Sequence, residues 1–268
     1  MKDQLYLVNR DYIKDLILAL RDYFISLPNV IRLNSEKIAI VGDTHGAINV
    51  TDEGLKYLHE GYHVIFLGDL VDRGKNSLRN LLYALESLYL NSNLIIIRGN
   101  HESSATTMYY GFLDELKESG IEDLYDYFLV LFSSIPMAVL INNEILCLHG
   151  GIPRGDVSLD DIEKLPRDDL FPENKIAFEI LWNDPREYIE GFLPSTRGDG
   201  AFYFGRDVLE DFLKRNKLKK IIRGHEVKME GIGFNFNEKV ITVFSSEYHK
   251  GKKGILFIEN GKIRTLIL

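Results

Sequence analysis

Five short stretches set glycine beside a side chain that can bind a metal: GDTHG (42–46), GDLVDRG (68–74), RGNHE (98–102), LHGG (148–151) and RGHE (223–226). Taken singly, each is an ordinary turn, since glycine and aspartate both favour turns. Histidine does not. Yet of seven histidines, His45, His101, His149 and His225 stand in these stretches. His59 on a helix face and His63 at a strand entry read as solvated or satisfied residues. Sorted by donor type, the stretches offer Asp43, His45, Asp69, Asn100, His149 and His225. Oxygen and imidazole donors without sulfur suit manganese, iron, zinc or cobalt better than calcium. Six ligands are too many for one catalytic ion that keeps open positions. They suit two ions sharing a carboxylate, the arrangement that clamps both oxygens of an in-line displacement around a bridging water or hydroxide.

Two neighbours extend the chemistry. Arg73 shares a turn with Asp69 and can grip phosphate oxygens bidentately. His101 follows Asn100, and adjacent residues rarely face one ion, so His101 is expected to be a general acid. Asp72 is expected to orient its ring and raise its pKa. The plain alternative for Asp72 and Arg73 is a salt bridge within the turn.

The elements that must place these residues follow from periodicity. Apolar runs KIAIV, HVIFL and NLIIIR alternate with helical patterns near 51–60, 76–90 and 102–131, which predicts parallel strands with helices on the faces. Ligands gather at the carboxyl ends of such strands. Ile13, Leu16, Ile17, Leu20 and Phe24 predict a covering helix over about 10–27, ended by Pro28. MAVLINNEILCL reads as a hairpin turning at Asn142-Asn143. Residues 152–200 read as loop with a short helix at 173–182, followed by a helix at 206–216 and a strand in KLKKIIRG. The remainder alternates around turns at Asn237 and Asn260-Gly261, giving a mixed or antiparallel sheet. The expectation is an α/β (mixed α+β) chain forming a single catalytic domain over 1–268, with two packed β-sheets flanked by helices.

Composition excludes other classes. The formal net charge of −8 argues against a nucleic-acid partner, and no apolar run reaches the roughly 20 residues a membrane helix needs. The N-terminal stretch MKDQLYLVNRDYIKDL is charged throughout and is no secretory signal. The single cysteine, Cys147, reads as a buried strand residue and gives no disulfide. The expected compartment is the cytoplasm.

The five motifs in this order resemble the phosphoprotein phosphatase family of serine/threonine phosphatases, within the calcineurin-like metallophosphoesterases. EILWNDP (179–185), STRGDGAFYFG (195–205) and ITVFSSEYHKGKKGILFI (241–258) are similar to three further segments of that family. The resemblance runs from about residue 15 to the C-terminus and implies a β-sandwich flanked by helices. It implies that Asp43, His45 and Asp69 hold one metal, and that Asp69, Asn100, His149 and His225 hold the other. By the same resemblance Arg73, Arg197 and Asn100 grip phosphate, Tyr248 lines the substrate cleft, and His101 with Asp72 protonates the leaving oxygen. The implied reaction is hydrolysis of phosphoserine and phosphothreonine in phosphorylated proteins by direct attack of a metal-bound hydroxide. The alternatives are another metallophosphoesterase activity, such as dinucleoside polyphosphate or phosphodiester hydrolysis, or a catalytically dead scaffold. The family's PNYC loop is recast here as EYHK, which puts inhibitor sensitivity in doubt. His249 and Lys250 read as loop residues, with positive charge at the cleft mouth as the alternative. No regulatory tail is expected, and no regulatory subunit is implied.

Overall fold

We describe a computed structural model covering residues 9–268. The first helix forms where the sequence places it. Asn9 caps α1 (Arg10–Ser26) by accepting from the Tyr12 amide, and Ile13, Leu16, Ile17, Leu20 and Phe24 make one buried stripe. Then follow β1 (Val30–Leu33), β2 (Lys37–Val41), α2 (Ile48–Lys56), β3 (His63–Phe66), α3 (Ser77–Leu90), β4 (Leu94–Ile96), α4 (Ser104–Thr107), α5 (Phe112–Glu118) and α6 (Tyr125–Ser134). The second half has β5 (Ala138–Ile141), β6 (Ile145–Leu148), α7 (Leu159–Glu163), α8 (Lys175–Trp182), β7 (Asp184–Pro185), β8 (Phe192–Pro194), β9 (Phe202–Phe204), α9 (Arg206–Arg215), β10 (Lys220–Arg223), β11 (Ile232–Asn235), β12 (Val240–Val243), β13 (Gly254–Glu259) and β14 (Lys262–Ile267).

Two sheets stack face to face. One runs β14-β13-β2-β3-β4, the other β1-β5-β6-β10-β12-β11. Alternation sorts the side chains of β2: Ile38 and Ile40 point between the sheets to meet Val139, Cys147, Ile222 and Ile241. Ala39 and Val41 point outward, into a core with Ile17, Phe24, Leu81 and Phe132. The other sheet buries its outer face under Ile162, Ile180, Leu209 and Phe212 of α7, α8 and α9. A strand covered on both faces has no polar side to show, which is why KIAIV reads as a continuous apolar run. The hairpin turn at Asn142 and Asn143 has both residues left-handed, φ 51° and 57°, the type that asparagine serves.

The structure departs from the expected elements in three places, the first being the unexpected edge strand β1 beside β5. The helical stretch 102–131 is cut into three, because Gly111 and Gly120 turn left-handed at φ 118° and 68°. The loop-rich stretch 152–200 also holds the short helix α7 and two strands of a third sheet, β7-β9-β8, which β9 completes just beyond it. Strands of two and three residues with an exposed β8 leave no periodicity to read.

The placement of the site follows from strand direction. β2, β3 and β4 pair in parallel, and so do β6, β10 and β12. An isolated parallel bridge between Asp43 and Phe244 joins the two sets just beyond β2 and β12. Six carboxyl ends therefore open onto one edge of the sandwich.

Phe24 anchors α1 in this arrangement at 1% exposure. Phe24→Ala should cost about 3–5 kcal/mol of unfolding free energy in a denaturant titration. A cost below about 1 kcal/mol would mean the helix is not part of the cooperative core.

Candidate metal centre and active site

The turns after these strands bend where most residues cannot. His45, Asp69, Asp72, Arg73 and His225 all have φ between 44° and 69°. Thirteen non-glycine residues have positive φ among the described residues, so more than a third lie in this one site. Each costs on the order of 1–3 kcal/mol and persists only where its surroundings enforce it. The glycines make room beside them: a Cβ at Gly99 would sit 2.2 Å from Asp69 Oδ1, and one at Gly224 would sit 2.3 Å from Asp43 Oδ1.

All six expected ligands are buried at the shared edge. Asp69 stands in two overlapping groups, one with His45 and His101, the other with His149 and His225. His45 Nδ1 donates to Val71 O and His149 Nδ1 donates to Leu67 O, each at 2.7 Å. A carbonyl can only accept, so each ring presents an Nε2 lone pair inward. His45 Nε2 then faces Asp69 Oδ2 at 3.5 Å, and His149 Nε2 faces Asp69 Oδ1 at 3.4 Å. His149 Nε2 and His225 Nδ1 both lie 2.8 Å from Asn100 Oδ1. Asp43 Oδ2 and His225 Nε2 are buried with no partner. The Nε2 lone pairs of His45 and His149, turned toward carboxylate and carbonyl oxygens that can only accept, are what cations would satisfy, and a carbonyl-anchored Nδ1 is the usual support of a metal-binding imidazole. The residues present fit two ions that share Asp69.

Without positive charge the site resists ionisation. Burial, then the charge of Asp69, pushes Asp43 up to about 7. Burial pushes His45 and His225 well below the usual histidine value. Desolvation thus disfavours carboxylate and imidazolium alike.

His101 packs edge-on against His45, with ring centroids 4.8 Å apart. Its Nδ1 meets Asp72 Oδ2 at 2.7 Å, and the Phe112 amide donates to Asp72 Oδ1 at 3.0 Å. Asp72 therefore orients the ring as expected. The expected rise in the His101 pKa is not found. Burial pushes the imidazole down to about 4, and burial pushes Asp72 up to about 7.

Arg73 comes from the turn after β3 and Arg197 from the loop between β8 and β9, and the charge of each is felt at both His101 and Tyr248. Arg197 Nε donates to Asp184 Oδ2 at 2.5 Å. Tyr248 stacks edge-on against His45 at 5.1 Å, and burial pushes its phenol up to about 12. His249 lies against the Tyr248 ring, centroids 3.9 Å apart.

Four supporting residues were not singled out from sequence. Glu102 is buried and accepts three backbone N–H groups at 2.8 Å, from Asp69, Leu70 and Gly99. It ties the turn after β3 to the turn after β4. Asp184 accepts from both Arg197 and the fully buried Arg223. Arg223 also donates to Gly150 O and Glu226, so no charge in the cluster is left uncompensated. Glu102, Asp184, Arg223 and Glu226 all stand inside the quoted motifs; what was missing was a partner to assign them.

The family model for calcineurin-like phosphoesterases matches residues 36–229. The chain belongs to the calcineurin-like phosphoesterases. The phosphoprotein phosphatase resemblance is matched by relatives within that family. Serine/threonine-protein phosphatase T of Trypanosoma brucei brucei is 35% identical over 258 residues, covering 92% of this chain and 54% of that protein. Its namesake in Saccharomyces cerevisiae is 39% identical over 226 residues, covering 82% of this chain and 44% of that protein. The chain spans about half the length of these curated relatives. A solved protein serine/threonine phosphatase from Saccharomyces cerevisiae superposes with a TM-score of 0.86 at 31% identity, over 96% of this chain and 89% of that one. The mixed α/β sandwich is the fold of this phosphoesterase family.

Glu102→Gln replaces an acceptor with a donor against amides that already donate. Metal affinity, measured by competition with a chelator, should fall roughly 10- to 100-fold while the unfolding midpoint shifts little. Unchanged affinity would show that Glu102 does not hold the ligand turns.

Proposed function

We propose that the chain is a dimetal phosphoprotein phosphatase acting on phosphoserine and phosphothreonine monoesters, with residues 1–268 forming one catalytic domain. The observation that carries this reading is the pair of ligand groups sharing Asp69, flanked by an oriented imidazole and two arginines. The names of the relatives point to the same substrate class. Asp43, His45 and Asp69 would hold one ion, and Asp69, Asn100, His149 and His225 the other; manganese, iron, zinc or cobalt would supply Lewis acidity at the phosphoryl group and a nucleophile near neutral pH.

The chain's own residues do the remaining work. Arg73 and Arg197, helped by Asn100, hold the phosphoryl oxygens, and Asp184 keeps the Arg197 fork in place. The Asp72 contact fixes His101 by Nδ1, leaving Nε2 to give a proton to the serine or threonine oxygen as the P–O bond breaks. A phosphate dianion in the cleft favours the imidazolium that burial alone opposes. Tyr248 forms a wall of the cleft beside His45.

The expected partners are phosphorylated proteins, with neither nucleic acid nor membrane, and the expected compartment is the cytoplasm. Among the described residues no helix is long and apolar enough to cross a membrane.

His101→Asn should lower kcat by roughly 10²- to 10⁴-fold with metal content unchanged. Intact turnover would remove the acid assignment. Arg73→Ala and Arg197→Ala should each raise KM for a phosphoserine peptide; unchanged KM and kcat in both would sink the clamp. The reading as a whole is decided by comparing a phosphoserine peptide with diadenosine tetraphosphate under added Mn²⁺. Preference for the nucleotide would make the chain a different phosphoesterase, and no turnover of either would make it a scaffold.

A further inference from the structure

The two arginines of the site are held by different means. Arg197 is bound through Nε and Nη2 to the Asp184 carboxylate and through Nη2 to His225 O. Among the described residues no carboxylate lies within ion-pair distance of Arg73. Its guanidinium carbon lies instead 3.8 Å over the centroid of the Tyr110 ring. The backbone is tied as well, since the Arg73 amide donates to Tyr110 O at 2.9 Å. The same ring also meets His101, centroids 5.2 Å apart at 58°. Tyr110 is in turn fixed by its amide, which donates to Thr106 O at 3.0 Å. One aromatic side chain thus touches both the arginine assigned to phosphate and the imidazole assigned to the leaving group.

The two kinds of support differ physically. A carboxylate takes up N–H donors and cancels charge. An aromatic face attracts a cation without consuming its donors, since a ring's π face accepts no conventional N–H hydrogen bond from a guanidinium lying over it. Arg73 leaves a backbone in the left-handed region, φ 66°, on a long side chain with much rotamer freedom to lose. Resting the group on a ring lowers that loss before any ligand arrives.

We propose that Tyr110 is a positioning residue that pre-orders Arg73 for a phosphoryl group while leaving its charge and its donors available. This rests on the reading of the site as one that binds phosphate. The ring is what matters, not the hydroxyl, so phenylalanine should serve and an aliphatic residue should not. Tyr110 is 40% exposed, which leaves room for substitution without disturbing the core.

The test uses metal-loaded wild type, Tyr110→Phe, Tyr110→Leu, Arg73→Ala and the Arg73→Ala/Tyr110→Leu double variant. Inorganic phosphate is titrated by calorimetry, and KM and kcat are measured with p-nitrophenyl phosphate. Tyr110→Leu should weaken phosphate binding and raise KM by roughly 3- to 30-fold, with kcat changing less. Tyr110→Phe should stay within about twofold of wild type, and Tyr110→Leu should add nothing once Arg73 is gone. Metal content and melting temperature should be common to the set. The proposal is overturned if Tyr110→Leu binds phosphate like wild type, if Tyr110→Phe is as impaired as Tyr110→Leu, or if the loss persists without Arg73. It is equally overturned if the wild type binds no phosphate. A chain that shows the expected pattern with phosphate yet leaves phosphoserine peptides intact would keep this inference and lose the proposed function.

Discussion

The inward-facing lone pairs of His45 and His149 meet the oxygens of Asp69 and Asn100 in a site that water scarcely reaches. Electron-rich atoms held this close repel one another unless positive charge lies between them. Everything around them resists that repulsion. Carbonyls of Val71 and Leu67 fix the rings, and Glu102 gathers three amides to fix the Asp69 turn. The left-handed residues are part of the same bargain, since a relaxed turn would aim its side chain elsewhere.

Support and chemistry are divided between the two sheets. The β2-β3-β4 layer carries Asp43, His45, Asp69 and Asn100, with the Asp72–His101 pair and Arg73 beside them. The other large sheet brings His149, His225 and, by way of β12, Tyr248. Arg197 comes from the small third sheet, held by Asp184 and so linked to Arg223 at the end of β10. The site therefore depends on the packing of Ile38, Ile40 and Ile65 against Val139, Cys147 and Ile222 between the sheets.

Much of this was legible in the sequence, and for a physical reason. A strand buried on both faces must be apolar throughout, so KIAIV and HVIFL announced themselves and placed Asp43 and Asp69 at their ends. Histidines in glycine-flanked turns had no propensity reason to be there. The small sheet was not legible because β7 to β9 are too short to show alternation. Glu102 and Asp184 were in plain view without a role, because their partners are amides and arginines that only the fold brings near. The His101 pKa was read in the wrong direction because its neighbour Asp72 could be inferred from sequence, and the depth of its burial could not.

The order of strands in the first sheet bears on how the chain is made. β13 (Gly254–Glu259) lies between β14 and β2, pairing Leu256 with Ile40 and Glu259 with Lys37. A ribosome delivers β2 (Lys37–Val41) more than two hundred residues before that partner. Until β13 emerges, one hydrogen-bonding edge of the strand that leads into Asp43 stays unsatisfied, with apolar side chains on both faces. Closure of so distant a pairing is slow on entropic grounds. The layer bearing four of the six candidate ligands thus becomes whole only once β13 has been made, so the site cannot assemble in step with the growing chain.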